Sequence, residues 1–253
     1  MAWAWVADES EQLPTCVAEK GNRDGWPCAG QGKAPGTLLE STRPTHPGRD
    51  KVDMRTVVSL FDFSGNMVKP WAENGHECLC IDTKHSIRAD RTEAGVTYRW
   101  GDVRSLEPTK LPEPSIIFAF PPCTHLTVSG ARDWERRGLA ALIDALQLIE
   151  AARRLCEWYG CPWMLENPVG RLANLWRKPD YMFNPYHYGD PYTKKTCIWA
   201  SGGFVMPTIE PVTPTEGSKM HLMPPGPDRQ ANRSATPAGF AAAVYKANKE
   251  VVS

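Results

Sequence analysis

A chain of 253 residues, 42% of them hydrophobic, is ample for one α/β domain with a sizeable core. Its 29 basic and 29 acidic residues cancel, which excludes a globally charged binder and leaves any nucleic-acid contact to a local patch. No apolar run approaches the roughly 18 residues of a membrane span, and the start Met1-Ala2-Trp3-Ala4-Trp5-Val6 lacks the basic residues and length of a signal peptide.

The cysteines are scattered; only Cys78/Cys80 and Cys156/Cys161 lie close together, and neither pair has zinc-ligand spacing matched by a second pair. A reduced, soluble, cytoplasmic chain without a metal is the expectation. Residues 1–53 read as a disordered N-terminal arm, since from about Glu9 they are rich in Pro, Gly and charge and show no sustained periodicity. Cys16, Cys28 and His46 could be imagined as metal ligands there, but three widely spaced candidates without a CxxC point more to solvated coil. The catalytic domain is expected over residues 54–253.

Thr56 to Phe61 has strand composition and runs into a small-residue turn, Phe63-Ser64-Gly65; a helix from about Asn66 to Asn74 leads to a second strand, Glu77 to Ile81, ending at Asp82. This is a dinucleotide-type βαβ order: Gly65 lets backbone approach a ligand, and Asp82 can accept hydrogen bonds from ribose hydroxyls. The alternative is that Gly65 only turns the chain and Asp82 is a solvated strand end. A third strand, Val96 to Arg99, leads to Gly101-Asp102, an acid suited to an adenine amino group. Leu106 to Pro114, with Pro108, Pro112 and Pro114, reads as loop.

Ser115 to Phe120 is uncharged, β-branched and aromatic, hence a buried strand. Pro121 and Pro122 offer no N–H to a ladder, so the chain leaves the sheet there and puts Cys123 at a carboxyl-terminal strand edge, where open α/β sheets keep their ligands. A buried structural cysteine is the alternative. The hydroxyl-rich stretch Thr124 to Gly130 suits a mobile loop, and Arg132 to Tyr159 is an amphipathic crossover helix with Leu139, Leu142, Ile143, Leu146, Ile149, Ala152 and Leu155 as its stripe. Arg132, Arg136 and Arg137 lie on the Cys123 side or form a solvated face. Gly160 ends the helix. The next strand, Trp163-Met164-Leu165, runs straight into Glu166-Asn167-Pro168, so a nucleophile and a carboxyl group stand on neighbouring strand ends. Basic residues and aromatics interleave from Arg171 to Tyr192, which suits either phosphate contact with base stacking or a packed loop. Lys194 and Lys195 precede the strand Cys197-Ile198-Trp199, whose alternation lets only one of them face the site. Pro207 to Pro227 is irregular, and Thr236-Pro237 reads as cap and first-turn proline of a closing helix from Ala238 to about Lys249.

The order of these parts resembles the DNA (cytosine-5) methyltransferase family, and more closely the compact variants of bacteriophages. Phe63-Ser64-Gly65, or a register starting at Phe61, looks like its first cofactor motif, with Asp82 and Asp102 as its two acids and Pro121 beside the cofactor. Pro121-Pro122-Cys123 matches its nucleophile motif, Glu166-Asn167-Pro168 looks like its Glu-Asn-Val motif, and the basic pair before Cys197 looks like its basic strand, with Lys195 in the place of the substrate-facing arginine. The resemblance covers roughly Val57 to Asn248. It implies a Rossmann-like class I S-adenosylmethionine-dependent fold, a mostly parallel twisted sheet with helices on both faces. It implies S-adenosylmethionine as cofactor, cytosine-containing DNA as partner, and a role in protection against restriction. It further implies Cys123, Glu166 and Lys195 as catalytic residues and Pro122, Thr124, Arg132, Asn167 and Lys194 as substrate contacts. Residues of about 200–233 are too few for the family's target-recognition domain, so specificity is low or comes from a partner or from the N-terminal arm. Methylation of RNA or of a free pyrimidine nucleotide at the same site, and a non-catalytic nucleic-acid-binding relative, remain as alternatives.

Overall fold

β-branched and aromatic runs without charge end up as the innermost strands. A computed structural model describes residues 55–218, 222–226 and 229–252. The expected arm, with Cys16, Cys28 and His46, lies outside the described residues. Eight strands form one sheet: β1 (Thr56–Leu60), β2 (Glu77–Asp82), β3 (Arg91–Glu93), β4 (Val96–Trp100), β5 (Pro114–Ala119), β6 (Trp163–Pro168), β7 (Tyr181–Phe183) and β8 (Thr196–Ser201). Their order is β3-β4-β2-β1-β5-β6-β8-β7. β4, β2, β1, β5 and β6 are parallel, β8 is antiparallel to β6, and β7 and β3 pair antiparallel with β8 and β4. With β3 set aside as an added edge hairpin, five parallel strands are followed by β8, inserted antiparallel between β6 and β7. The mostly parallel α/β sheet agrees with the expected fold class.

The helices are α1 (Lys69–Ala72), α2 (Trp134–Tyr159), α3 (Leu172–Leu175), α4 (Arg229–Ser234) and α5 (Ala238–Asn248). Strand alternation splits the core into two faces. Val57, Phe118, Met164 and Ile198 pack with Trp71 and with Phe240 and Val244 of α5. Val58, Ile117, Leu165 and Trp199 pack with Ala145, Ile149, Ala152 and Leu155 of α2. β1 is buried along its whole length because it is central in a sheet covered on both faces.

Several elements differ from expectation. β3 and β7 are additional strands of three residues each, and the proline-rich connection before β5 holds short 3₁₀ turns at Val103–Ser105 and Pro108–Lys110. α1 is one turn, starting at Lys69, because Gly65 to Val68 form a tight turn instead. α2 is broken at Gly138 (φ 70°, ψ −173°), and the first part of its stripe is unburied: Leu139 is 70% and Ile143 48% exposed. Gly160 does close it, in the left-handed region at φ 62°. Thr236 does not cap α5; Pro237 occupies that position, and Asp190 Oδ2 accepts from Gly239 N at 2.8 Å. Asn248 ties the other end down, its amide bonding Val205 N, Val205 O and Val244 O. Among the described residues no helix is long and apolar enough to cross a membrane.

Candidate active site

The chain leaves β1 toward β2 and β4 on one side and returns through β5 toward β6 on the other, so the carboxyl ends of β1 and β5 form the switch point where open α/β sheets place their ligands. After β5 the two prolines turn the chain out of the sheet, and Leu126 N and Thr127 N bond back to Cys123 O at 2.9 and 3.0 Å. Cys123 thus sits half-buried in a closed turn at the strand tip. On the neighbouring strand β6, Leu165 and Asn167 point to one face and Glu166 to the other, the face of Met164, Phe240 and Phe183.

Electrostatics tie the groups together. Burial raises the Cys123 thiol above its ordinary value, the Glu166 carboxylate raises it further, and Lys194 and Arg233 oppose both. Burial likewise raises Glu166, again opposed by Lys194. Lys194 and Glu166 line one small pocket of about 10 Å³ with Phe120, Phe183, Ser234, Thr236, Pro237 and Phe240, which is the space of a single water. The structure therefore corrects the choice of lysine: Lys194 faces Glu166, whereas Lys195 is exposed and acts electrostatically on Cys197. The parity of β8 explains it, since Lys194 shares the face of Thr196 and Ile198 and Lys195 that of Cys197. Arg233, in α4, is a cation near Cys123 that sequence reasoning missed.

Other expected substrate contacts are placed differently. Asn167 is wholly buried and donates from Nδ2 to Pro121 O at 3.1 Å, so it fixes the proline bend, while its Oδ1 is buried without a hydrogen-bond partner. Pro121 is buried, while Pro122, Thr124 and Arg132 are exposed.

At the β1 end, Phe61 takes a left-handed conformation (φ 58°), held by its N–H on Ile81 O at 2.7 Å. The organiser of this turn is Asp62, which the sequence reading passed over. Its buried carboxylate accepts from Ser59 Oγ, Ser64 N, Ser64 Oγ and Gly65 N at 2.8 to 3.0 Å. Burial raises its pKa and those bonds hold it back. Asp62 followed by Ser64 and Gly65 is the pattern of a carboxylate that bonds its own backbone two and three residues on, so a signal was present. Gly65 lies at φ 69°, and a Cβ there would sit 2.7 Å from the Tyr98 hydroxyl. Asp82 ends β2 beside this turn, one oxygen accepting from Lys84 N at 2.8 Å. Its register partner Trp100 is 56% exposed, and Phe63 is 51% exposed with His85 stacked on its other side at 5.4 Å. Asp102, expected to meet an adenine amino group, is instead held in three bonds by the Arg104 guanidinium and caps the turn at Arg104 N.

A larger cavity of about 490 Å³ lies at the opposite, amino ends of β1 and β2, lined by Thr56, Glu77 and Cys78 among others. Cys78 is pushed up to about 12 by burial, with no cation to counter it, so that cavity offers no activated thiol. Among the described residues no group of three or more His, Cys, Asp or Glu is placed to hold a metal ion.

The chain matches no family model. No curated protein matches it either. Solved structures similar to it include two of the antibiotic-resistance methyltransferase Kmr, at 16% and 18% identity and TM-scores of 0.28 and 0.27, covering 45% of this chain and 58% and 57% of theirs. Another is the 16S rRNA methyltransferase KamB, at 11% identity and a TM-score of 0.34, covering 58% of this chain and 87% of that one. The chain thus spans just over half the length of the Kmr structures it matches.

Proposed function

We propose that the chain is an S-adenosylmethionine-dependent methyltransferase that acts on carbon 5 of cytosine in DNA. The observation that carries this reading is the pair on adjacent strands: Cys123 sits in the turn that follows β5, the buried Glu166 carboxyl on β6 acts on its thiol, and Lys194 acts on both. The cofactor suits the residues at the β1 end, where a left-handed turn, the Asp82 carboxylate and the exposed rings of Phe63 and Trp100 would hold a ribose and a purine. When bound, S-adenosylmethionine supplies an electrophilic methyl group.

Cytosine carbon 5 is a weak nucleophile, so the Cys123 thiolate adds to carbon 6 and a C–S bond forms. Ring nitrogen 3 takes a proton as negative charge builds in the ring. Glu166 is suited to hold that proton because burial keeps its carboxyl protonated at higher pH than an exposed one. A protonated Glu166 no longer repels the thiolate, and Lys194 favours the thiolate and can bond the exocyclic oxygen. Once carbon 5 is methylated, its proton leaves to a base or water, the C–S bond breaks and Cys123 is released. A duplex must yield its cytosine from the stack, and the Ser234 to Pro237 wall must open for the ring. Sequence specificity would come from a partner or from the N-terminal arm.

The test is incubation of the full chain with methyl-labelled cofactor and DNA, RNA or free nucleotide, together with a 5-fluorocytosine duplex as covalent trap. Label in DNA and an adduct mapped to Cys123 are expected. Label only in RNA or nucleotide refutes the DNA assignment; binding without adduct refutes catalysis by Cys123.

A further inference from the structure

We infer that Arg171 is a positioning residue for the Cys123 thiol, clamping the turn that carries the nucleophile to the strand that carries Glu166. The inference rests on the reading of Cys123 given above. The turn after β5 closes on Cys123 O through Leu126 N and Thr127 N, so any movement of residues 125–127 moves Cys123 itself. The segment that follows β6 grips those residues from the other side. Val128 N donates to Val169 O at 3.1 Å and Arg171 N to Leu126 O at 2.8 Å. The Arg171 side chain adds a fork, with Nε and Nη2 both donating to His125 O at 3.0 and 2.8 Å. Its guanidinium lies 3.9 Å from the centre of the Trp134 ring, where α2 begins. Arg171 O receives Asn174 N and Leu175 N, so the same residue also starts α3.

Two features argue for a dedicated clamp. The charge is spent on a carbonyl and a ring face, a task for a planar guanidinium with parallel donors that a lysine ammonium cannot copy. The approach is also too close for any other residue beside it: a Cβ on Gly170 would lie 1.9 Å from Leu126 O. The Glu166 strand and the Cys123 turn are thereby held in one register just past the sheet, where an isolated antiparallel bridge between Thr127 and Gly170 is the backbone pairing that the Arg171 side chain reinforces.

The test measures the rate of adduct formation with a 5-fluorocytosine duplex at saturating S-adenosylmethionine for the wild type, Arg171→Lys, Arg171→Met and Gly170→Ala. Equilibrium titration gives cofactor affinity, and thermal melting shows that each variant is folded. Arg171→Lys and Gly170→Ala, which disturb the clamp by different means, are expected to slow the adduct on the order of 100-fold, the scale of about 1 Å of misplacement, with cofactor affinity unchanged. If Arg171→Met does not fold, the other two decide. Wild-type rates in folded Arg171→Lys and Gly170→Ala overturn the inference. So does a slower adduct with equal loss of cofactor affinity, which marks a residue that only supports the fold. No adduct from the wild type overturns the Cys123 reading and this inference with it, whereas an adduct insensitive to the variants overturns the inference alone.

Discussion

Replacing Gly65 by alanine tests the turn after β1, where the cofactor is proposed to sit. Two costs are legible. A left-handed backbone at φ 69° charges an L-residue about 1–2 kcal/mol. The new methyl would also stand 2.7 Å from the Tyr98 hydroxyl, against 3.4 Å or more for ordinary contact, so the phenol must retreat. It has little room, with the His85 edge at 5.2 Å and the Arg91 guanidinium over its face at 5.1 Å, and an off-rotamer tilt costs about 0.5–1.5 kcal/mol. Gly65→Ala should therefore lose about 1.5–3.5 kcal/mol in urea unfolding. In a Tyr98→Phe background, where the contacting oxygen is gone, the loss should fall to the backbone share of about 1–2 kcal/mol. A loss that is equal in both backgrounds would show that the hydroxyl is not the contact, and no loss in either would refute the described turn.

Glu166→Gln should lower turnover roughly 10²–10⁴-fold, read from single-turnover rates. The same variant should gain stability over the wild type at pH 7 but not at pH 4. The folded pKa of Glu166 is raised, so the unfolded chain gives up this proton first and stability is lost as pH rises through the raised value; the reverse trend in melting temperature would refute the burial described. Lys194→Ala should move alkylation of Cys123 to higher pH and cut turnover roughly 10²-fold, while Lys195→Ala does neither; peptide mass spectrometry after iodoacetamide at several pH values separates them. Asn248→Ala leaves Val205 N–H and C=O without their partner and should cost about 2–4 kcal/mol in urea unfolding.

The central strands were legible because burial on both faces demands uncharged β-branched runs, as in Val57 to Leu60 or Ile116 to Ala119, and nothing distant is needed to define them. β3 was not. Arg91, Thr92 and Glu93 are all exposed and become a strand only by pairing with β4 across the Ala94-Gly95 turn, both residues at positive φ (48° and 79°). The turn lacks the Asn-Gly or Asp-Gly pair that usually announces such a hairpin. β7 likewise depends on β8. The placement of Cys123 just past β5 and of Glu166 near the end of β6 could be read from the way each strand ends. The choice between Lys194 and Lys195 could not, because it follows from the register of β8 on β6, which sets Ile198 opposite Glu166. Arg233 comes from a distant helix, and only the folded chain brings it near the thiol.

The switch point lies on the seam between β1 and β5, and this placement has a kinetic side. Everything from β2 to β4 lies between those two strands in the chain, so their parallel pairing closes a long loop and ranks among the slow, non-local steps of folding. During synthesis the first half of the sheet emerges with one flank of β1 bare, and the turn after β1 meets the proposed Cys123 and Glu166 pair only when the second half docks against it. A chain halted before β5 would carry an unpaired apolar strand edge, which makes the interval before that docking the period of greatest exposure to aggregation.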